Sequence, residues 1–284
     1  MVPLTSLSSL PLLGEALESE EIQTREHEWL KQRLGKFTGS EFHRLMSDGR
    51  VNFKEKITVS GARGSYVVDI DGKQQEASLS ATKAAANDWI KSWKAEEAKS
   101  RLSVGAESYV LEKAAEMLAS IDLDGYVSPA MMWGKEYEAE AIQFFADRTG
   151  INPYMTGDSQ ELILSACGNY GVTPDGLIGM HSGLEVKCPQ YNTHIKYLLM
   201  RVLDDFKELC ADYYWQVQGC LLVTGREEWE FISYNPTFKD DEHKMKRLVI
   251  PRVEHDIARL EKKVQLAIEM RDGVLNSLKT NKLK

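Results

Sequence analysis

Two carboxylates and a lysine flank a glycine-containing turn in the stretch TPDGLIGMHSGLEVKCP, residues 173–189. The acids are Asp175 and Glu185, and the lysine is Lys187. Like charges that lie close together are unfavourable unless a cation separates them. The first question that the sequence raises is therefore whether solvent or a metal ion lies between these two carboxylates.

The same stretch predicts a short β-hairpin. Gly179 and Gly183 bracket its turn, so the strand that holds Asp175 folds back beside Glu185. Because alternate residues of a strand face the same side, Glu185 and Lys187 project together. The hairpin thus brings all three charged side chains to one place.

Two carboxylates aimed at one point form a hard, oxygen-rich site that suits Mg²⁺ or Mn²⁺. The main-chain carbonyl of Val186, between Glu185 and Lys187, would supply a further oxygen. Lys187 would then hold an attacking water or offset charge that develops on a phosphate, and a metal would lower the pKa of its bound water. The alternative interpretation is an exposed hairpin with an incidental ion pair.

Composition restricts the class of protein. The chain has 284 residues, 43% of them hydrophobic, which is ample for a core, and we expect a single domain over residues 1–284. A net charge of −8 argues against wholesale coating of nucleic acid. It is compatible with a nuclease, which needs acids at its metal site and basic residues only along its substrate track.

The chain contains no apolar run near the roughly 20 residues that span a bilayer, and its start lacks the basic flank of a signal peptide. We therefore expect no membrane association and a cytoplasmic location. The cysteines show neither C-x-x-C spacing nor zinc-ligand intervals with histidine, which predicts isolated buried thiols, no zinc site and no iron–sulfur cluster. They are Cys167, Cys188, Cys210 and Cys220.

Periodicity and turn residues predict helices at both ends of the chain with a cluster of strands between them. Helices are expected over 81–99, 105–120, 129–149, 195–223 and 252–276. A hairpin is expected over 57–80, and strands near 160–165, 171–178, 184–188 and 228–235. The segment 24–49 predicts two helices joined at Gly35, the second with capping-box spacing between Thr38 and Glu41. This order indicates an α/β core with helical flanks.

One acid of the helix over 129–149 faces inward. Glu138 is in line with the apolar stripe of that helix and lies across from its polar stripe. An inward-facing acid costs desolvation energy unless it is paired or bound to a metal, so Glu138 is a further candidate for the site. A buried salt bridge is the competing account. The polar stripe consists of Glu136, Glu140, Gln143 and Asp147, and the apolar stripe of Ala141, Ile142 and Phe145.

Four segments, taken in order, carry a resemblance that covers about half of the chain. They read EWLKQRLGKFTGSE, WGKEYEAEA, TPDGLIGMHSGLEVKCP and YYWQVQGCLLVTGREEWEFISYNP. Together they resemble the phage lambda exonuclease and YqaJ-type viral recombinase family of the PD-(D/E)xK nuclease superfamily. The resemblance implies an α/β fold with a restriction-endonuclease-like core, in which helices flank a central mixed β-sheet.

The resemblance also implies roles for particular residues. Asp175, Glu185 and the Val186 carbonyl would bind Mg²⁺, for which Mn²⁺ would substitute, and Lys187 would be catalytic. Glu138 would take a place in the same active site, in agreement with its inward position.

Gln216 is the last active-site residue that the resemblance implies. It lies among apolar and aromatic residues, so we expect it to be at least partly buried. Gln218 is an alternative bearer of the same role, and an amide that only satisfies backbone groups is the structural alternative.

A second group of residues is implied to hold the end of a DNA strand. Arg33, Ser40 and Thr173 would bind the terminal 5′-phosphate, and Trp29 would lie near the DNA end. A hydroxyl at a helix start beside a guanidinium is an anion-binding arrangement. The alternative is an ordinary helix cap with a solvated arginine.

The sequence departs from the family pattern around the motif. The family often has another acid in the loop before Pro-Asp-Gly, and here only Asp158 and Glu161 lie nearby. An arginine expected soon after the Glu-x-Lys strand is absent, and His194 and Lys196 stand there instead. The sequence therefore leaves two questions open: whether a further acid joins the metal site, and which residues contact the downstream phosphates.

Three segments lie outside the resemblance. Residues 50–100 have no convincing counterpart and predict an insertion or arm for DNA or a partner. Residues 1–22 form an N-terminal extension, and residues 252–284 form a C-terminal helix and tail.

The function expected from this resemblance is a Mg²⁺-dependent 5′→3′ exonuclease that acts on double-stranded DNA ends. It would release mononucleotides and leave a 3′ single strand for recombination, with a single-strand annealing protein as its partner and a homotrimer as its assembly. The alternatives are an endonuclease on the same fold and a DNA-end-binding protein with a lapsed site. The presence of every core catalytic residue counts against a lapsed site.

Overall fold

The computed structural model describes residues 27–119 and 129–281. The N-terminal extension over 1–22 and the helix start at Ser128 lie outside these residues. The first described helix, α1, covers 27–33 and is followed by a turn at Gly35. A short strand, a single 3-10 turn and a short helix come next: β1 (Phe37–Thr38), Gly39–Glu41 and α2 (Phe42–Met46).

Residues 51–101 form a small sheet with one covering helix. Its elements are β2 (Ile57–Ala62), β3 (Ser65–Ile70), β4 (Lys73–Ser80) and α3 (Lys83–Lys99). The three strands are antiparallel in the order β2-β3-β4, so the expected hairpin over 57–80 has one strand more than predicted. The sequence signalled turns at Ser60-Gly61 and at Asp71-Gly72. The second is a turn, in which both residues have positive φ, and the first lies within β2. Val68 and Ala86 are buried within this unit but belong to neither of the two main hydrophobic cores.

The remaining elements contain the central sheet and the helices around it. They begin with α4 (Val104–Glu116), α5 (Pro129–Thr149), β5 (Ile163–Leu164), β6 (Tyr170–Val172), β7 (Gly176–Ile178) and β8 (Ser182–Lys187). They continue with α6 (Tyr191–Leu198), α7 (Leu203–Leu209), α8 (Ala211–Thr224), β9 (Glu228–Tyr234), α9 (Asp241–Lys244), β10 (Met245–Pro251) and α10 (Glu254–Asn281).

The central sheet is mixed, as expected. Its order is β10-β9-β8-β7, in which β8 and β9 are parallel and the two outer pairs are antiparallel. A smaller sheet of order β1-β6-β5 lies beside it. The predicted α/β class with a central mixed sheet between helices is therefore confirmed.

Hydrophobic cores cover both faces of β8 and β9. The larger core packs Trp229 and Phe231 against residues of α2, α4, α8 and α10. The smaller core packs Leu184 and Val186 against Ala141 and Phe145 of α5. A charged side chain in the middle of a strand that is covered on both faces is buried, and Glu185 on β8 is in this situation.

Two details of the secondary structure differ from the sequence-based expectation. The helix expected over 195–223 is three helices. The break before α7 arises because the Asp205 carboxylate accepts hydrogen bonds from the main-chain N–H groups of Arg201 and Val202. The predicted end of α8 at Gly225 is confirmed, and this residue has left-handed φ. Strand β10 was missed altogether.

Three of the cysteines are buried free thiols, as predicted. They are Cys188, Cys210 and Cys220. The expectation is wrong for Cys167, which is exposed in the loop before β6.

Candidate active site

The β7–β8 hairpin has the predicted form, with Gly176 opposite Leu184 and Ile178 opposite Ser182. Its turn begins at Gly179, but Gly183 lies within β8 and does not bracket the turn. Gly183 is required by a close approach, since a Cβ atom there would lie 2.3 Å from the Trp229 indole. The hairpin therefore packs directly on the larger core.

A buried arginine fixes the turn of this hairpin. Arg226 donates hydrogen bonds to the carbonyls of Ile178 (3.2 Å), Gly179 (2.8 Å) and Ser182 (2.6 Å). The same guanidinium donates to the Tyr154 hydroxyl at 2.9 Å. All three main-chain acceptors are neutral carbonyl oxygens. Arg226 therefore fixes the turn without pairing with Asp175 or Glu185. Sequence analysis did not identify this residue.

The structure brings Asp175, Glu185 and Lys187 together. Asp175 lies just before β7, and its Oδ2 accepts a hydrogen bond from the Val186 N–H at 2.7 Å. The Lys187 ammonium donates to Glu185 Oε1. Glu185 is fully buried, and no residue of the described part of the chain donates a hydrogen bond to its Oε2. One carboxylate oxygen of a buried acid is thus left without a partner among the described residues and is open to a ligand.

Burial and mutual repulsion shift the protonation of these groups. Desolvation raises the pKa of Glu185 to about 8, and Asp175 adds to the rise while Lys187 opposes it. Desolvation likewise raises the pKa of Asp175. Burial would lower the pKa of Lys187, but Glu185 and Asp175 outweigh it and raise that pKa, which keeps the ammonium charged. The site therefore favours the binding of a cation.

Glu138 on α5 is half-buried near the same carboxylates. Its Oε1 accepts a hydrogen bond of 2.8 Å from the amide of Gln160, a neutral partner. Desolvation, followed by repulsion from Asp175, raises the pKa of Glu138 to about 7. The alternative prediction for Glu138 was a buried salt bridge. The hydrogen bond from Gln160 is not a salt bridge, because the amide carries no charge.

Gln160 was not identified by sequence analysis, although it lies between the two acids that were considered for the site. The two acids considered there, Asp158 and Glu161, are exposed. Gln160 follows a single 3-10 turn at Gly157–Ser159, and its main-chain N–H bonds to the Gly157 carbonyl at 3.0 Å. Its position between Asp158 and Glu161 is the sequence feature that could have identified Gln160.

A pocket of about 180 Å³ joins Asp175 to the residues expected at the DNA end. Gly39, Val172 and Cys220 contribute to its wall. The rest of the wall is formed by Gln160 and six predicted site residues, namely Trp29, Arg33, Ser40, Thr173, Asp175 and Gln216. Glu138, Glu185, Val186 and Lys187 do not line this pocket. Residues far apart in the chain therefore share one cavity with Asp175.

The two glutamines of α8 have different surroundings. Gln216, which the resemblance implies as the active-site amide, lines the pocket. Gln218 is fully buried, donates to the Pro251 carbonyl at 2.9 Å and accepts from the Val253 N–H at 3.1 Å. Gln218 is thus a structural amide that holds β10 and the start of α10.

Arg33 is held by hydroxyl groups. It donates to Thr173 Oγ1 at 3.2 Å and to Ser40 Oγ at 3.3 Å, and its guanidinium lies 4.3 Å from the centroid of the Trp29 ring. Within the described ranges no carboxylate lies at ion-pair distance from it, and burial lowers its pKa. The alternative of an ordinary cap with a solvated arginine does not fit, since Thr38 is buried and makes no side-chain cap bond to a described residue.

His194 and Lys196, which stand where the family has an arginine after the Glu-x-Lys strand, differ in exposure. His194 is fully buried, with its ring nitrogens 2.7 Å from Ser233 Oγ and 2.8 Å from the His243 carbonyl. It therefore has a structural place and cannot reach a phosphate. Lys196 is exposed on α6 and remains open to solvent.

The donor atoms of the site fit a hard divalent cation. The described part of the chain has no group of three or more His, Cys, Asp or Glu side chains arranged as a metal cluster. Asp175 and Glu185 nevertheless provide two buried carboxylates, and Glu185 Oε2 has no hydrogen-bond partner among the described residues. Oxygen donors of this kind are the ligands that Mg²⁺ prefers.

Comparison with known proteins identifies the family. Residues 74–227, more than half of the chain, match the model of the YqaJ-like viral recombinase domain. The chain therefore belongs to the YqaJ-like viral recombinase family. The matched range contains Glu138, Thr173, Asp175, Glu185, Lys187 and Gln216, and leaves Trp29, Arg33 and Ser40 outside. No curated protein matches the chain.

Three solved structures share the fold. The alkaline exonuclease LHK-Exo from Laribacter hongkongensis is 21% identical, with a TM-score of 0.61 over 90% of this chain and 98% of that one. LHK-Exo in complex with dAMP gives 22% identity and a TM-score of 0.61 over 91% and 100% of the two chains. A phage-related exonuclease from Haemophilus somnus 129PT gives 14% identity and a TM-score of 0.56 over 86% and 96%. These likenesses agree with the expected PD-(D/E)xK core.

The membrane expectation can be compared with the helices that the structure describes. None of the helices within residues 27–119 and 129–281 is long and apolar enough to cross a bilayer.

The raised pKa of Glu138 predicts a pH-dependent stability. Its folded value of about 7 lies above the ordinary value of about 4.3, so the folded protein retains a proton that the unfolded chain releases. The free energy of unfolding therefore falls as the pH rises from about 4.3 through 7. In metal-free buffer at pH 8, Glu138→Gln should melt about 2–4 °C above the wild type, and at about pH 4, below the unfolded pKa, the two should nearly coincide.

Glu136→Gln is the matched control, because Glu136 is exposed on the same helix and should melt like the wild type at both pH values. Equal melting temperatures of Glu138→Gln and wild type at pH 8 would show that Glu138 carries no desolvation cost.

Proposed function

We propose that the chain is a Mg²⁺-dependent 5′→3′ exonuclease that degrades one strand of duplex DNA from its end and leaves a 3′ single strand. The observation that supports this most is the single pocket in which Arg33, Ser40 and Thr173 lie beside Asp175. An anion-binding group in the same small cavity as one acid of the proposed metal site suits a substrate with two neighbouring phosphates. Membership of the YqaJ-like family and the fold shared with alkaline exonucleases support the same proposal.

Asp175, Glu185 and the Val186 carbonyl are the groups that would hold the metal ion. Glu185 Oε2 has no donor among the described residues, and both carboxylates are destabilised by burial, so a cation would relieve both. When bound, Mg²⁺ would lower the pKa of an attacking water and polarise the scissile phosphate, and Mn²⁺ would substitute for it.

The remaining polar side chains would act on protons and charge. The Lys187 ammonium stays charged beside Glu185 and would stabilise the negative charge that develops on the phosphate. Glu138, with a pKa of about 7, is suited to accept a proton from the attacking water near neutral pH. The Gln216 amide in the pocket would orient the reacting groups.

The terminal 5′-phosphate would bind Arg33, Ser40 and Thr173, with Trp29 against the first nucleotide. Arg33 suits this role because its guanidinium is held by two hydroxyls and, among the described residues, by no carboxylate, which leaves its charge available to an anion. Thr173 and Asp175 are two residues apart, a span of at most about 7 Å between Cα atoms. A phosphate held at Thr173 would therefore bring the next phosphate to Asp175, which favours the release of mononucleotides.

Family membership also supports two wider proposals. The active assembly would be a homotrimer, and the 3′ single strand would pass to a single-strand annealing protein.

Removal of a metal-ligand charge tests the proposed site. Asp175→Asn and Glu185→Gln should each abolish hydrolysis of a linear duplex in Mg²⁺, because each loses a charge but little volume. Binding to DNA ends should change little, and Lys187→Ala should lower kcat more than affinity. Hydrolysis is measured as release of acid-soluble nucleotide, and binding as anisotropy of a labelled end.

Glu161→Gln provides the matched control for these variants. Glu161 is an exposed acid near the pocket, so its substitution should leave hydrolysis unchanged. Near wild-type hydrolysis by Glu185→Gln would refute the site, and rapid cutting of closed circular DNA by the wild type would favour an endonuclease.

The 5′-phosphate pocket predicts a preference between DNA ends. A terminal phosphate carries about −1.5 to −2 charge, and losing its charge-assisted bonds typically costs about 1.5–3 kcal/mol. The wild type should therefore digest 5′-hydroxyl ends roughly tenfold to a hundredfold more slowly than 5′-phosphate ends. In Arg33→Ala the two rates should converge, mainly because phosphorylated ends become slow.

Lys31→Ala is the control for general loss of positive charge, since Lys31 is an exposed cation on the same helix. It should slow both kinds of end alike, if at all. Equal digestion of both ends by the wild type would show that the pocket does not read the phosphate.

A further inference from the structure

Tyr213 contacts the ammonium group of Lys187 through the face of its ring. It lies on α8, three residues before Gln216, and the Lys187 Nζ is 4.9 Å from its ring centroid. An ammonium within about 6 Å of an aromatic centroid is attracted by the negative face of the ring. This contact is separate from the hydrogen bond between Lys187 and Glu185.

The tyrosine ring is itself held by the central sheet. Tyr213 and Phe231 are stacked, with centroids 6.0 Å apart and an interplanar angle of 30°. Phe231 lies on β9 directly opposite Glu185 of β8. The ring that contacts Lys187 is therefore fixed to the strand pair that carries Lys187.

The Lys187 ammonium thus has two different partners. Glu185 Oε1 accepts one hydrogen bond, and the Tyr213 face supplies a second attraction. A lysine has a flexible four-carbon side chain, so two contacts restrict its position more than one does. A neutral ring provides this restriction without adding another carboxylate beside Asp175, Glu185 and Glu138.

We propose that Tyr213 is a positioning residue, which holds the Lys187 ammonium toward the scissile phosphate by a cation–π contact. This proposal rests on the proposed nuclease function. The ring would hold Lys187 in place even when a metal ion bound to Glu185 weakens the hydrogen bond between Lys187 and that carboxylate.

The ring could instead serve only to fill space, because Tyr213 is half-buried and packs against the larger core. The two roles differ in one physical property. Filling space depends on the shape of the ring, and a cation–π contact depends on the negative charge of its face. Fluorine atoms withdraw that charge and change the shape little, so a fluorinated series separates the roles.

The experiment places phenylalanine and its mono-, di- and trifluorinated analogues at position 213 by amber suppression. Tyr213→Phe should keep kcat within about twofold of the wild type, because the ring face remains. The kcat should then fall stepwise with each fluorine, by roughly tenfold over the series, which is the size expected for a partly desolvated cation–π contact. The KM for DNA ends and the melting temperature should stay constant.

The same fluorinated series at Phe206 is the matched control. Phe206 is fully buried, lies 4.6 Å from Phe231 between ring centroids, and belongs to the same core, so its kcat should not change with fluorination. A constant kcat across the Tyr213 series, in a protein whose wild type is active, would overturn the proposed role of Tyr213. An inactive wild type would instead refute the nuclease function itself.

Discussion

Burial of the Glu185 carboxylate is the constraint on which the rest of the structure depends. Glu185 lies on β8, whose two faces are both covered by hydrophobic cores, and it is fully buried. Taking a carboxylate out of water costs several kcal/mol unless other groups compensate it. Lys187 compensates one oxygen, and the other has no partner among the described residues. Within the described part of the chain, the fold thus leaves one oxygen of a buried acid open to an external ligand.

Neighbouring elements are arranged around this buried acid. Helix α8 carries Tyr213 toward Lys187 and Gln216 toward the pocket. It comes close enough to α2 because residue 219 is glycine, where a Cβ atom would lie 2.2 Å from the Phe42 ring. This close approach brings the 3-10 turn that carries Ser40, and with it the Arg33 pocket, next to Asp175.

The sequence predicted the parts of the site that depend on local spacing. The hairpin followed from turn residues and alternation, and the pairing of Glu185 with Lys187 followed from the period of a strand. The family resemblance implied Glu138, and the position of this acid on an apolar stripe of its helix supported the assignment. The α/β class with its mixed sheet was also expected, since the four family segments occur in order.

Contacts between distant residues could not be predicted in the same way. Gln160 meets Glu138 across 22 positions, and Arg226 reaches the hairpin turn from 44 to 48 positions away. No periodicity links such residues, because their meeting depends on how the helices and sheet pack. The break between α6 and α7 depends on one carboxylate, Asp205, whose pairing with two main-chain N–H groups competes with a continuous apolar pattern.

The measurement that tests the central claim most directly is the strand polarity of digestion. A linear duplex with a 5′-phosphate is labelled either at the 5′ end or at the 3′ end of the same strand, and digestion is followed with Mg²⁺ or with a chelator. The account predicts that the 5′ label leaves first as a mononucleotide, that the 3′ label stays in the long strand until late, and that the chelator stops both. Earlier release of the 3′ label, or digestion that continues without a divalent metal, would contradict it.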